Sequence, residues 1–511
     1  MKPQQVSRST QPSCIEALVR FARSSLPTAA VVTVAIASSV MLTLGGCASS
    51  AGIAPSARTL APASLGLETV SSAAPADAVA ADWWNGFGDP ALTDLIDRTL
   101  VGNPTLKVAQ ARLGRAQAAI EGARAADGLQ VNGALDVTRQ HFSSTSIYPP
   151  PLGGSTRTLG TAQINASWEF DFFGRNRAAL EAAVGLQRAA QADISAARVM
   201  LAANVARTYV QLARLIDQRE VAARSLKQRD DILALIRQRV QAGLDTTVEL
   251  RQGEGSLPEA RQQIEQIDEQ IALTRHALAA LTAQPMDALD GLAPSLRVVK
   301  ATPLPVNVPA DLIGRRADIT AARWRIEAAT SDIQSAKAQF YPNINLGAFI
   351  GLSSIGLDRL VNADSGQFGV GPAIRLPIFD SGRLRANLRG KTADLDAAVE
   401  SYNAALIDAV HDVADQLTSL RSIDRQQAEQ AQARTAAESA YDLSAQRYKA
   451  GLGNYLTVLN AEAAVLNQRR LAADLKARAL DGQVALIRAL GGGYSADADA
   501  ASLVGAAAAR P

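Results

Sequence analysis

Bond-making chemistry needs nucleophiles, acids, bases or metal ligands held close together, and this sequence offers few of them. Its three histidines, His141, His276 and His411, are far apart, with no cysteine or clustered carboxylate at metal-ligand spacing beside them. No G-x-S-x-G elbow or phosphate-binding loop occurs, and Gly451-Leu452-Gly453 lacks the strand that a dinucleotide fingerprint requires before it. Neither an enzyme nor a metal or organic cofactor is expected. The reactive candidate is Cys47, which closes the segment Leu44-Gly45-Gly46-Cys47. The other thiol, Cys14, lies in a basic stretch ending near Arg23 that leads into an apolar run from Ala29 to Leu44. That order is the make-up of a secretory signal, and the run is too short for a good membrane span. With Cys14 inside the signal, no disulfide can form within the mature chain.

The elements around these residues are mostly helical by composition. Of 511 residues 48% are apolar but only 4% aromatic, a balance weighted toward alanine that suits long, closely packed helices. The net charge is +2, and the first 46 residues carry Lys2, Arg8, Arg20 and Arg23 against Glu16, so the mature chain is near −1. A phosphate-tracking surface needs a basic excess, which excludes a nucleic-acid partner.

Two motifs recur at one offset. Gly174-Arg175-Asn176-Arg177 is matched by Gly382-Arg383-Leu384-Arg385, and Arg239-Val240-Gln241-Ala242-Gly243-Leu244 by Arg447-Tyr448-Lys449-Ala450-Gly451-Leu452, each pair 208 residues apart. A constant offset over separated motifs marks an internal duplication. The expected division is residues 1–46 signal, 47–90 an extended N-terminal segment, 91–283 the first repeat, 284–311 a linker containing five prolines, 312–490 the second repeat and 491–511 a tail. Each repeat follows one plan: a helix, two strands, then two long helices joined by a tight turn.

The strands are expected at Leu129 to Thr138, Gly160 to Phe173, Asn343 to Leu352 and Phe368 to Phe379, all alternating. In the second, Ala162, Ile164, Ala166, Trp168, Phe170 and Phe172 point one way, and Gln163, Asn165, Ser167, Glu169 and Asp171 the other. Pro372 interrupts the fourth strand's pattern. Strands of about ten residues with one apolar face fit an outer-membrane barrel or an ordinary half-buried sheet. A charged polar face (Glu169, Asp171, Asp136, Arg375) suits a water-filled lumen, and the secretory signal suits it too. Four strands cannot close a barrel, and lipid tolerates no open edge, so closure calls for further copies of the chain.

Arg175 to Ala242 and Arg383 to Ala450 contain no proline and one glycine each, Gly185 and Gly390. As helices each would reach about 100 Å. Ile264, Ile267, Ile271, Thr274, Leu278 and Leu281 form a heptad-spaced seam, as do Leu406, Val410, Val413, Leu417 and Leu420. Gly243, Leu244, Asp245 and Thr246 form one turn and Gly451, Leu452, Gly453 and Asn454 the other, with glycine caps followed by N-cap residues. These turns reverse a helix, and they also present exposed tips. Gly253-Glu254-Gly255-Ser256-Leu257-Pro258 is expected to bend or loosen the helix returning from the first tip.

The small residues before Cys47 resemble the lipobox of bacterial lipoproteins, in which the peptidase cuts before the cysteine and the mature chain carries N-acyl and S-diacylglycerol lipid there. Ala48 follows, not the Asp that marks inner-membrane retention in well-studied bacteria, so the resemblance implies a lipid-anchored outer-membrane address. Acyl chains contribute about 0.8 kcal/mol per buried methylene.

With Trp83-Trp84, Phe87-Gly88-Asp89-Pro90, Asn103-Pro104-Thr105-Leu106 and the paired strand-to-helix and tip motifs, the sequence resembles the TolC-like outer-membrane factor family, specifically its OprM/NodT lipoprotein branch. The resemblance implies a mainly α fold with membrane β: a homotrimer whose protomers give four strands each to a 12-stranded β-barrel continued by a 12-helix α-barrel through the periplasm. It implies a passive exit duct for small molecules such as drugs, working with a periplasmic adaptor and an inner-membrane transporter that supplies the energy. The tip residues listed above would contact the adaptor, while Gln163, Asn165, Ser167, Glu169, Asp171 and Arg375 would line the barrel. Leu456 and Asn460 occupy the positions of the branch's Leu and Asp gate pair, so the charged ring becomes neutral here. Arg316-Ala317-Asp318 replaces the usual Arg-Pro-Asp, a change expected to be harmless. A protein-secretion duct, or a non-conducting coiled-coil spacer between membranes, are the competing readings.

Overall fold

Alanine-rich segments free of proline become helices whose length is set by where glycine and capping residues stop them. The computed structural model describes residues 49–61, 64, 79–300 and 315–495. The signal, Cys47, residues 301–311 of the Pro-rich linker and residues 496–511 of the tail therefore lie outside the described residues. After a 3₁₀ turn at Trp83–Phe87 come α1 (Pro90–Gly102), α2 (Pro104–Asp127), β1 (Gln130–His141), β2 (Thr156–Phe170), α3 (Arg175–Gln241) and α4 (Thr247–Leu281). The second half supplies α5 (Ala317–Ala338), β3 (Asn343–Ile355), β4 (Gly366–Arg375), α6 (Arg383–Lys449) and α7 (Tyr455–Ala489). The long helices α3 and α6 have 67 residues each, and the return helices α4 and α7 have 35 each. Their starts, 175 and 383, then 247 and 455, keep the offset read from the motifs.

The four strands form one antiparallel sheet in the order β1-β2-β3-β4, so the repeats meet where β2 pairs with β3. Register puts Gly133, Ile164, Ile350 and Phe368 in one row and Val131, Ala166, Ala348 and Val370 in another. Partners across an antiparallel ladder share a face. Phe368 is 86% exposed and Val370 75%, so this apolar face has no cover among the described residues. A half-buried soluble sheet would have covered it.

The strand boundaries differ from the alternation pattern. The second strand stops at Phe170 because Asp171 turns back to accept the Arg177 amide at 2.8 Å, capping α3. Asp171 is thus a helix cap outside the polar strand row to which the alternation assigned it. The fourth strand likewise stops at Arg375, before Pro377, and Asp380 accepts the amides of Gly382 (3.0 Å) and Leu384 (2.8 Å). Both long helices start after a left-handed glycine, Gly174 at φ 75° and Gly382 at φ 85°. Pro372 is tolerated within β4 because that strand forms an edge of the protomer's sheet. β1 runs on to His141, and β2 starts earlier than expected, at Thr156.

The largest core cluster gathers where short and long helices cross. Trp83, Trp84 and Phe87 pack with Leu92 and Ile96 of α1, Tyr209 and Leu212 of α3, Leu278 of α4 and Val484 of α7. The Tyr209 hydroxyl donates to Asp89 at 2.6 Å in the buried interior, while the other Asp89 oxygen caps α1 at Ala91. Burial, with the hydrogen bond to Asp89, pushes the Tyr209 phenol well above its ordinary pKa.

The duplication extends to the caps. Asn103 accepts the Thr105 amide at 2.8 Å and donates to the Leu281 carbonyl at the end of α4. In the second half Arg316 donates to the Ala489 carbonyl at the end of α7, held also by Asp318 at 2.7 Å. Residues 281 and 489 stand at the same offset as the motifs, so each return helix ends on the residue that starts the preceding short helix. Ala317, in place of the family's proline, is buried at the first turn of α5 and leaves this pairing intact.

The helix runs unbroken from Thr247 to Leu281 with Pro258 inside it, so the expected bend does not end the helix. A Cβ on Gly253 would stand 3.0 Å from Leu233 Cδ1 and 3.1 Å from Ile236 Cδ1, so the glycine admits α3 side chains. Arg229 of α3 donates to the Ser256 carbonyl at 3.0 Å, joining the two helices beside the glycine. Gly185 has the same use at the α3–α5 crossing, where its absent Cβ would lie 3.0 Å from that of Ala328.

Two stability predictions follow from these contacts, both read as thermal denaturation midpoints in detergent. Gly185→Leu forces α3 and α5 apart and is expected to cost about 1–3 kcal/mol; an unchanged midpoint would refute the close-packing role. Tyr209→Phe leaves the buried Asp89 oxygen without its donor and is expected to cost about 1–3 kcal/mol as well, whereas Tyr209→Phe at wild-type stability would show that water replaces the hydroxyl.

Candidate functional site

The polar face of the sheet is set by register. Gln163, Asn165, Ser167 and Glu169 alternate along β2, and their ladder partners carry the face across β3 and β4: Gln163 with Gly351 and Gln367, Glu169 with Asn345 and Ala373. Arg375 pairs with Asn343, two residues beyond the Glu169 row, so it shares this face near the start of the helices. The Gln367 amide donates to Gln163 Oε1 at 3.3 Å, and Gln163 donates to Asn165 Oδ1 at 3.1 Å. Glu169 pairs with Arg175 of α3 at 2.7 Å, tying the last row of the sheet to the first turn of the helix. Of the polar set expected on this face, only Asp171 has left it.

At the far end, the two turns are held together by Asp245, one of the expected tip residues, with Arg239 and Tyr448, which lie outside the expected tip residues. Arg239 grips Asp245 with two hydrogen bonds of 2.9 and 3.1 Å, and its guanidinium lies 4.8 Å above the Tyr448 ring. The Tyr448 hydroxyl donates to the same carboxylate at 2.5 Å, so the second hairpin bonds to the first. The Arg239 guanidinium holds the Asp245 carboxyl below the usual range. Burial, with the bond to Asp245, pushes the Tyr448 phenol above its ordinary value. Asp245 is therefore engaged within the protomer, whereas Leu244 and Leu452 are exposed at the apices. Thr246 and Glu249 form a capping box at the start of α4, and Asn454 accepts the Thr457 amide at 3.0 Å to start α7.

Leu456 and Asn460 are both exposed, one turn apart on α7, opposite buried Tyr455 and Val458. Two residues further on, Glu462 is buried against α3, where it accepts from Ser225 at 2.6 Å and Arg229 at 3.1 Å. Sequence reasoning missed this pair. The i,i+4 spacing of Ser225 and Arg229 was a signal, but only inter-helix register brings Glu462 opposite them. Among the described residues no group of three His, Cys, Asp or Glu side chains could hold a metal ion, and no helix is long and apolar enough to cross a membrane.

A barrel-like sheet with one apolar and one polar face, continued by paired long hairpins, is the architecture of known outer-membrane channels. The family model of outer membrane efflux proteins matches residues 95–284 and 308–492. The multidrug resistance outer membrane protein MdtQ of Escherichia coli O157:H7 is 33% identical over 420 residues, covering 81% of this chain and 88% of that protein. The fusaric acid resistance protein FusA of Burkholderia cepacia is 36% identical over 360 residues, 69% of this chain and 68% of its own. Among solved structures, the outer membrane protein VceC of Vibrio cholerae superposes with a TM-score of 0.76 at 37% identity, over 82% of this chain and all of that one. The strand order, the repeated hairpins and these matches together make this chain a member of the outer membrane efflux protein family.

Proposed function

We propose that three copies of this chain form a lipid-anchored exit duct of a tripartite efflux pump, passing small molecules across the outer membrane through a 12-stranded barrel and a 12-helix tunnel. One observation carries the reading: a four-stranded sheet whose outer strands β1 and β4 have no partner on one side, and whose apolar face has no cover, among the described residues. Lipid suits that face but tolerates no unpaired edge, so β4 of one protomer must pair with β1 of the next until the ring closes. The names of MdtQ and FusA, which speak of multidrug and fusaric acid resistance, support small-molecule export. The lipobox-like segment ending at Cys47 supports acylation of that residue and an outer-membrane address.

In this trimer Leu456 and Asn460 contribute two rings at the periplasmic end, the narrow gate. Leu244 and Leu452, with Gly243, Thr246, Gly451, Gly453 and Asn454, form the apices offered to a periplasmic adaptor, which links the duct to an inner-membrane transporter. Asp245, Arg239 and Tyr448 hold each pair of tips together from within.

Purified protein in planar bilayers is expected to give stepwise conductance and to run as a trimer in detergent; a stable monomer without conductance would overturn the duct. Asn460→Asp is expected to raise cation selectivity and divalent-ion block in the same recordings, and indistinguishable traces would discard the gate assignment. Asp245→Ala leaves Arg239 and Tyr448 without their shared partner and should raise the open probability; no change would remove the tip interlock from gating. The interlock also has a pH sign: because the folded carboxyl is depressed, its stabilisation is complete above the ordinary Asp value near 4 and is lost as pH falls through the lower folded value. Opening should therefore rise only on the acid side.

A further inference from the structure

Residues 49–61 run beside α6, and their contacts repeat at intervals too regular for a loose tail. The Arg385 guanidinium donates to the carbonyls of Ser49 and Ala51. Asp396 accepts the amides of Ser56 (2.9 Å) and Ala57 (3.0 Å) and the Ser56 hydroxyl (2.8 Å). Asn403 accepts the Leu60 amide at 2.8 Å and donates to the Arg58 carbonyl at 2.9 Å. Ile53 and Ala57 pack on the cluster that includes Leu388, Leu395 and Val399.

The spacings agree. From Arg385 to Asp396 the helix rises about 17 Å, and from Asp396 to Asn403 about 10 Å. The chain turns at Ala51-Gly52, where the Ile53 amide bonds the Ser50 carbonyl across a step of under about 7 Å, and then runs extended for about 10 Å from Ile53 to Ser56 and about 10 Å from Ala57 to Leu60. Steps of 11 and 7 residues are close to three and two whole turns, so Arg385, Asp396 and Asn403 lie on one stripe of α6. The strap thus turns once at Ala51-Gly52, is extended beyond Ile53, runs parallel to α6 and is clamped at three points. Its first clamp, at Ser49, stands two residues into α6, next to the end of the sheet at Arg375.

We propose that Arg385, Asp396 and Asn403 are positioning residues for the lipid anchor. Cys47 lies two residues before Ser49, which limits its reach from the clamp to about 7 Å. The clamp therefore sets an acylated Cys47 at the level where sheet gives way to helix, the lipid boundary of the proposed duct, and prevents the strap's slack from letting the protomer ride deeper or shallower. This inference rests on the reading of Cys47 as acylated.

The test uses full-length protein purified from outer membranes into liposomes, with Ser49→Cys labelled by bimane; Cys14 leaves with the signal, and the acylated Cys47 has no free thiol. Spin-labelled lipids at headgroup depth are expected to quench the label strongly, and Asp396→Ala/Asn403→Ala should cut that quenching at least twofold. The same double substitution should speed tryptic cleavage after Arg58 at least tenfold while leaving single-channel conductance unchanged. Arg385→Met, which releases only the first clamp, should lower quenching with little effect at Arg58, and serves if the double variant fails to fold. Unchanged quenching and cleavage in an acylated protein would overturn the clamp alone. An N-terminal peptide without acyl mass would overturn the anchor reading itself.

Discussion

A hydrocarbon interior offers nothing to an unpaired backbone amide or carbonyl, and the rest of this fold is arranged around that refusal. The described residues bring four strands, too few to close on themselves, and leave the sheet's apolar side chains uncovered. The central pairing of β2 with β3 uses one strand from each repeat, so the duplicated halves are fastened together within the sheet. Beyond the sheet, Asp171 and Asp380 turn back to cap the first helical turns, ending the strands and starting the long helices within a few residues.

The long helices derive their order from small residues and caps more than from bulky cores. Gly185 against Ala328 and Gly253 against Leu233 and Ile236 bring helices close enough for dispersion along their length. One aromatic belt, Trp83, Trp84, Phe87 and Tyr209, binds the short helices to both hairpins. Asn103 and Arg316, different in chemistry, do the same task in the two halves by closing the ends of α4 and α7.

Periodicity made much of this legible. The heptad seams identify residues that are buried, Ile267, Ile271, Leu278, Leu406, Val413 and Leu420 among them, and the constant motif offset gave helices of equal length. Strand ends were less legible, because alternation continues through Phe172 and Phe379 while the capping carboxylates Asp171 and Asp380 decide where the ladder stops. Pro258 sits within a helix that continues from Thr247 to Leu281, because the packing of α4 on α3 outweighs the local propensity to stop. The Arg239–Asp245–Tyr448 and Arg229–Glu462 groups were hidden because each joins residues from different hairpins, and no single-helix pattern encodes the register between them. Of the candidate site, the turns at the tips were legible from local spacing, whereas Leu456 and Asn460 were singled out only by the resemblance.

The caps at Leu281 and Ala489 have a mechanical consequence. They pin the base of each return helix at the aromatic belt, and 35 residues of helix make a rigid arm of about 52 Å. A tilt of 5° at such a pivot sweeps the tip through about 4.5 Å on that arm length, more than the radius of a hydrated ion. Leverage of this kind lets a repacking of a few ångströms or less at the belt become an aperture at the far end, without stretching a single hydrogen bond along the arm.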